Sequence, residues 1–136
     1  MASVLRQKFI TREEVRSRRS AIFVFGDNME RKGFGGQAKA MRGEPNTVGI
    51  PTKWAPHTRP SAYFSDDCLV DRSVREAIDG AFSKLRLLLR DGMDIVIPSD
   101  GVGTGLADLP RRAPKLHAYI EAQITQLGKS YNQHSR

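Results

Sequence analysis

Two segments, Ala21–Phe25 (AIFVF) and Asp94–Pro98 (DIVIP), each run directly into a glycine-rich stretch that is followed by helix-forming sequence. An uninterrupted apolar run of strand length marks a strand covered on both faces, as in a parallel sheet with helices above and below. The rest of the chain fits that frame. Val4–Ile10 reads as a first strand, and Thr11 with Glu14 three residues on gives a capping-box start to a helix over TREEVRSRR. Gln37–Arg42 begins a short helix and Thr47–Pro51 is a short strand, whereas 52–67 (TKWAPHTRPSAYFSDD) lacks periodicity and predicts an irregular connection. Asp66 or Asp67 is the expected cap of the longest helix. Its apolar positions Val70, Val74, Ala77, Ile78, Ala81, Phe82, Leu85, Leu88 and Leu89 step by three and four, and Asp91-Gly92 stops it. Pro110 suits the first turn of a last helix with the stripe Ala113, Leu116, Ile120, Ile124 and Leu127. Strands alternating with helices predict one α/β domain over residues 1–128, a three-layer α/β/α fold on a mostly parallel, mixed sheet, with 129–136 a flexible tail.

Composition narrows the setting. At 136 residues the chain has the size of one domain. No stretch approaches the roughly 18 consecutive apolar residues of a membrane span, so no membrane partner is expected. The N-terminus lacks the apolar core of a signal peptide. Cys68 is the single cysteine, so no internal disulfide forms, and a cytoplasmic location is expected. The formal charge of +7 is uneven: residues 1–20 and 111–136 are each strongly basic, while the middle is nearly neutral. Basic ends either steer the protein toward a polyanion or serve as solvated surface charge.

Ligands of such sheets settle beyond the carboxyl ends of the strands. Two loops leave there, Gly26–Gly36 (GDNMERKGFGG) and Ser99–Gly105 (SDGVGTG). Glycine lets backbone N–H groups approach phosphate oxygens with no Cβ in the way, and the following helix adds its positive dipole end. Two such loops suit a diphosphate held from both sides; the plainer alternative is a pair of tight turns with no ligand. GFGG lacks the G-x-G-x-x-G spacing, and GVGTG has no Lys-Ser/Thr after it, which argues against a Walker-type ATP site.

On these residues the chain resembles the macrodomain family. FVFGDN places Asn28 at that family's strand-end asparagine, GFGGQA matches its glycine loop, and IPSDGVGTGLADL matches its late loop of the form P-x-x-G-x-G-L. GIPTKWAP is similar to the strand-end motif of one branch, which includes terminal ADP-ribose protein glycohydrolases and DNA ADP-ribosyl glycohydrolases. The resemblance implies a reduced macrodomain-like domain. Its ligand would be ADP-ribose or a related nucleotide, and it would hydrolyse ADP-ribosyl groups from nucleic acid or protein, without cofactor or metal. It implies Lys53 as the catalytic residue. Asp27, Asn28, Gly33, Gly35, Gly36, Gln37 and Thr52 would bind ligand from one side, and Ser99, Gly101, Val102, Gly103, Thr104, Gly105 and Leu106 from the other, with Asp108 an accessory group. Three departures stand out. The stretch between the GFGG helix and IPTK is short, no aspartate stands near Phe9-Ile10-Thr11 to select adenine, and Ala107 occupies the place where the protein glycohydrolases carry an aspartate.

Each residue also has a plainer reading. Lys53 could be a solvated lysine at a loop start. Asn28 could be a turn residue, and Asp27 could orient the loop rather than touch ligand. Asp108 ahead of Leu109-Pro110 reads more readily as a helix cap than as a base, and Asp100 would repel a phosphate unless turned away. Trp54, Tyr63 and Phe64 could stack on a base, with core packing the default. His57 and His117 have no metal-ligand pattern, and His117 falls near an apolar helix face. Cys68 lacks a base partner. A non-catalytic reader or sequestering module needs the loops without Lys53; a nucleic-acid-binding domain without a nucleotide cleft needs only the basic ends.

Overall fold

The structure, a computed structural model, describes residues 2–134, with side chains through Lys129. Strand β1 (Val4–Gln7) is followed by α1 (Arg12–Ser17), β2 (Ala21–Asn28), α2 (Ala38–Met41) and β3 (Thr47–Lys53). Then come α3 (Arg72–Arg90), β4 (Asp94–Pro98), α4 (Leu109–Arg112) and α5 (Pro114–His134). The four strands form one sheet in the order β1-β4-β2-β3, and every pairing is parallel throughout rather than mixed.

Alternation along the strands divides the core in two. Phe23, Phe25 and Val96 face α1 and α2, where they pack with Val15, Ala38 and Met41. Ile22, Val24, Ile95 and Ile97 face the other way, onto Ile78, Phe82 and Leu85 of α3 and Leu116, Ile120 and Ile124 of α5. Both faces of β2 and β4 are therefore covered, which is why their sequences read as unbroken apolar runs. The fold is α/β in three layers.

Local chemistry sets the boundaries. Thr11 caps α1 through a bond from the Glu14 amide (3.1 Å), but the Glu14 carboxylate accepts from Gln7 and Arg18 instead of closing the box. Gln7 also donates to the Phe9 carbonyl (2.9 Å), and β1 ends there, short of Ile10. Glu44 takes Arg12, Arg16 and Arg19 at 2.8–3.0 Å, pinning α1 to the turn before β3. The Arg12 hydrogen bond, with those of Arg19 and Arg16, pulls the Glu44 pKa down to about 2 against the opposing effect of burial.

Three expectations are corrected. The cap of α3 is Asp71, which accepts from Val74 N (3.1 Å), not Asp66 or Asp67. The segment Asp66–Val70 is a 3-10 turn, and Val70 is 84% exposed rather than part of the apolar stripe. The Asp66 carboxylate serves the last helix, accepting from Lys115 N (2.8 Å) and Leu116 N (3.4 Å). The last helix is itself two: the non-helical backbone of Ala113 (φ −145°, ψ 66°) separates α4 from α5. Helix α5 runs past Gly128 to His134, and residues 135–136 of the expected tail lie outside the described residues. The 52–67 segment holds a short 3-10 turn (Pro60–Ala62) and closes back on β3, with Trp54 N donating to Ala62 O (2.8 Å).

Candidate functional site: a cleft between two glycine-rich turns

Strands β2 and β4 are neighbours, yet the chain leaves them for opposite faces: from β2 to α2, and from β4 to α4 and α5. Connections that part in this way open a crevice at the sheet's carboxyl edge. The crevice here has a volume of about 260 Å³.

The two turns are in contact at its base. The Gln37 side chain accepts from Gly26 N (2.8 Å) and donates to Gly101 O (3.0 Å), tying the first turn to the second. A Cβ on Gly26 would stand 2.9 Å from Gly103 N, and one on Gly103, whose φ is +76°, would stand 2.9 Å from Thr52 Cβ. Only glycine permits this approach. Among the described residues, no hydrogen bond uses the N–H groups of Gly35, Gly36, Thr104 or Gly105, all of which line the cleft. Backbone amides left without a protein partner beside one hollow are the kind of donor that can meet an anion.

Strand β3 supplies the far wall. A bulge between Asp27 and Asn28 in the β2–β3 register brings the ends of both strands together, with Thr52 Oγ1 donating to Asp27 O (3.1 Å) and Met29 N to Lys53 O (2.9 Å). Asp27 lines the cleft but its carboxylate is engaged. It pairs with Arg42 and Arg31 and accepts from Asn28 N (2.8 Å), so it organises the loop. Arg42 also donates to Gly33 O (2.6 Å). The Asn28 amide donates to Lys32 O (2.8 Å) and accepts from Lys32 N (3.4 Å), the contacts of a turn residue, although Asn28 remains on the cleft wall.

Lys53 is 7% exposed. Its Nζ donates to the His57 carbonyl (2.8 Å) and lies 4.7 Å from the centroid of the Tyr63 ring. The Arg112 guanidinium carbon rests 3.6 Å from the same centroid. Among the described ion pairs none involves Lys53. Burial, and then the charge of Arg112, lower its pKa from the ordinary 10.5. A buried ammonium without a counterion gives up its proton more readily, which is the condition for a nucleophilic amine.

Lys53, Asp27, Asn28, Gly33, Gly35, Gly36, Gln37, Thr52, Gly103, Thr104, Gly105 and Leu106 come together on the cleft. Ser99, Gly101, Val102 and Asp108 do not line it. Ser99 and Gly101 spend their amides on Gln7 O and Pro98 O, and Val102 is fully buried in the core. Asp108 occupies the residue before α4 in a left-handed conformation (φ 49°) without a capping bond. Its carboxylate turns to Arg111 (2.6 Å) and Arg112 (3.5 Å).

Sequence reasoning missed Gly26, Lys32, Ala38, Arg42, Pro56 and Ala107, and left Asp100, also on the wall, without a role. Lys32 carried a signal, a cation inside a loop suited to anions. Arg42 and Pro56 carried none, because their side of the cleft is set by how α2 and the 52–67 segment pack. Trp54 and Phe64 form an edge-to-face pair in the core (5.2 Å), leaving Tyr63 as the aromatic at Lys53. The His57 ring accepts from Arg59 N (3.2 Å), and His117 packs partly buried 3.7 Å from Glu121. Cys68 is buried. Among the described residues no group of His, Cys, Asp and Glu could hold a metal ion, and no helix is long and apolar enough to cross a membrane.

The model of a family of unknown function, DUF7831, matches residues 5–123, from the first strand to well inside the last helix. Comparison with curated proteins and with solved structures gives no match.

Proposed function

We propose that this chain, which belongs to the family of unknown function DUF7831, binds ADP-ribose or an ADP-ribose-derived nucleotide in the cleft and hydrolyses ADP-ribosyl groups from a macromolecule, nucleic acid or protein. The observation that carries the reading is the pair of unpaired amide runs, Gly35-Gly36 and Thr104-Gly105, that line one crevice. They suit a diphosphate, with Lys32 adding positive charge at the wall. The distal ribose then reaches the end of β3, where Lys53 is the catalytic residue. Its neutral amine forms a bond to the sugar C1 as the C1–aglycone bond breaks, the aglycone leaves with the amine's proton, and water releases free ADP-ribose and restores the lysine. A buried, unpaired Cys68 fits the reducing cytoplasm we assign to the protein.

The competing reading, a reader or sequestering module without catalysis, is favoured by one observation: Asp108 is held on Arg111 and Arg112 and offers no base to the cleft. Calorimetry with ADP-ribose followed by incubation with ADP-ribosylated DNA and protein separates the two. Release of ADP-ribose that disappears in Lys53→Ala, with binding kept, is the expected result. Binding without turnover in the unaltered protein selects the module, and no binding at all ends both readings.

A further inference from the structure

Strand β1 is outermost on its side of the sheet and, among the described strands, pairs only with β4. In a parallel ladder every second residue of a strand bonds to its neighbour, and the residues between turn their main chain the other way. Ile95 N donates to Ser3 O (2.9 Å) and Ser99 N to Gln7 O (3.0 Å). With Leu5 beside Val96 in the same register, Ser3, Leu5 and Gln7 are the residues that serve β4. Val4 and Arg6 therefore direct their N–H and C=O groups away from the sheet. Among the described residues no hydrogen bond uses the main chain of either.

Side-chain alternation gives this edge two faces. On one, Val4 packs onto the core beside α5, and Arg6, its side chain 42% exposed, lies 3.6 Å from Glu121. On the other, Leu5 is 40% exposed and the Gln7 side chain accepts from Arg18 (3.2 Å). Glu121 and Glu14, the acids on these faces, each already stand beside an arginine. Lys8 follows the strand with no ion pair among those described, and residues 1–20 carry six basic groups against two acidic. An edge with unused main-chain groups takes another strand. Cations along the edge of a chain with a net charge of +7 work against a second copy in that place. The same cations favour a strand that carries acids.

We propose that the β1 edge is a docking surface for an extended acidic segment of another polypeptide, which adds to the sheet as a fifth strand through the main chain of Val4 and Arg6. Residues directly opposite one another on paired strands share a face. The segment therefore sets an acid opposite Arg6 and an apolar residue opposite Leu5, whose exposed side chain it covers. None of Val4–Gln7 lines the cleft, and the proposal does not depend on the function assigned there.

The test is a titration of the full chain, followed by amide chemical shift and hydrogen exchange, with a capped peptide of two glutamates flanked on each side by two valines. That sequence presents the same order of acids and apolar residues in either strand direction. The peptide is expected to shift the Val4 and Arg6 amides and to slow their exchange. Its counterpart with lysines for glutamates should bind about tenfold more weakly. A fully N-methylated glutamate peptide, which has no main-chain donor, should not bind at the edge. Arg6→Glu should turn the preference toward the lysine peptide. The proposal is overturned if the Val4 and Arg6 amides do not respond, if both peptides bind equally, or if shifts are confined to Gly33–Gly36 and Gly103–Gly105. It is overturned in favour of a second copy if the chain alone sediments as a dimer with the Val4 and Arg6 amides already protected. Failure of ADP-ribose binding or turnover touches only the earlier reading.

Discussion

The Lys53 amine has one hydrogen bond, to the His57 carbonyl, and shares the Tyr63 ring with the Arg112 guanidinium. Two cations on one ring raise the cost of the charged amine, and burial raises it further. Because the folded amine binds its proton less well than the unfolded one, its charged form opposes folding below the folded pKa, and stability rises as pH climbs from there toward 10.5. Arg112→Leu removes the repelling charge, so Lys53 should hold its proton to higher pH. Trapping of Lys53 by a small aldehyde with borohydride, followed by peptide mass across a pH series, should show the labelling midpoint moving upward in Arg112→Leu and staying in Arg112→Lys. An unchanged midpoint in the leucine variant would remove Arg112 from the account. The lysine itself stood out in the sequence by its place after Pro51-Thr52. Its surroundings did not, since Arg112 lies far along the chain and Asp108, the expected accessory group, turns toward that arginine instead of the cleft.

The turns that make the cleft depend on close backbone approach, and the glycines differ in what they guard. A side chain at Gly103 would meet Thr52 Cβ at 2.9 Å and Leu109 Cβ at 3.1 Å, at a φ that L residues resist. One at Gly35 would meet only the end of the Leu106 side chain, which is 63% exposed and free to swing away. Gly103→Ala should therefore cost about 1–3 kcal/mol in urea unfolding, with Gly35→Ala close to the original; equal losses would mean that the turns are not in contact as described. At this scale much was readable. The covered strands, the Thr11 cap and the Asp91-Gly92 stop follow from local rules. The start of α3 did not, because Asp66, Asp67 and Asp71 are all competent caps. Which one serves α3 was decided when the 3-10 turn carried Asp66 to the α5 amides, 49 residues away.

In the whole molecule the central pair β4 and β2 is sealed on both faces, while β1 pairs only with β4 and β3 only with β2 among the described strands. Hydrogen exchange should find the slowest amides in Phe23–Phe25 and Ile95–Ile97, exchanging only on global opening, and faster exchange in Leu5 and Arg6. Protection of β1 equal to that of β4 would contradict the strand order. From its residues alone the chain specified layers, elements and two glycine-rich loops after covered strands, because burial periodicity and glycine placement act over a few neighbours. Strand order, the tie through Gln37, the committed Asp27 and the uncovered edge of β1 were decided only on folding. Each depends on which distant segment packs beside it, and local spacing carries no record of that choice.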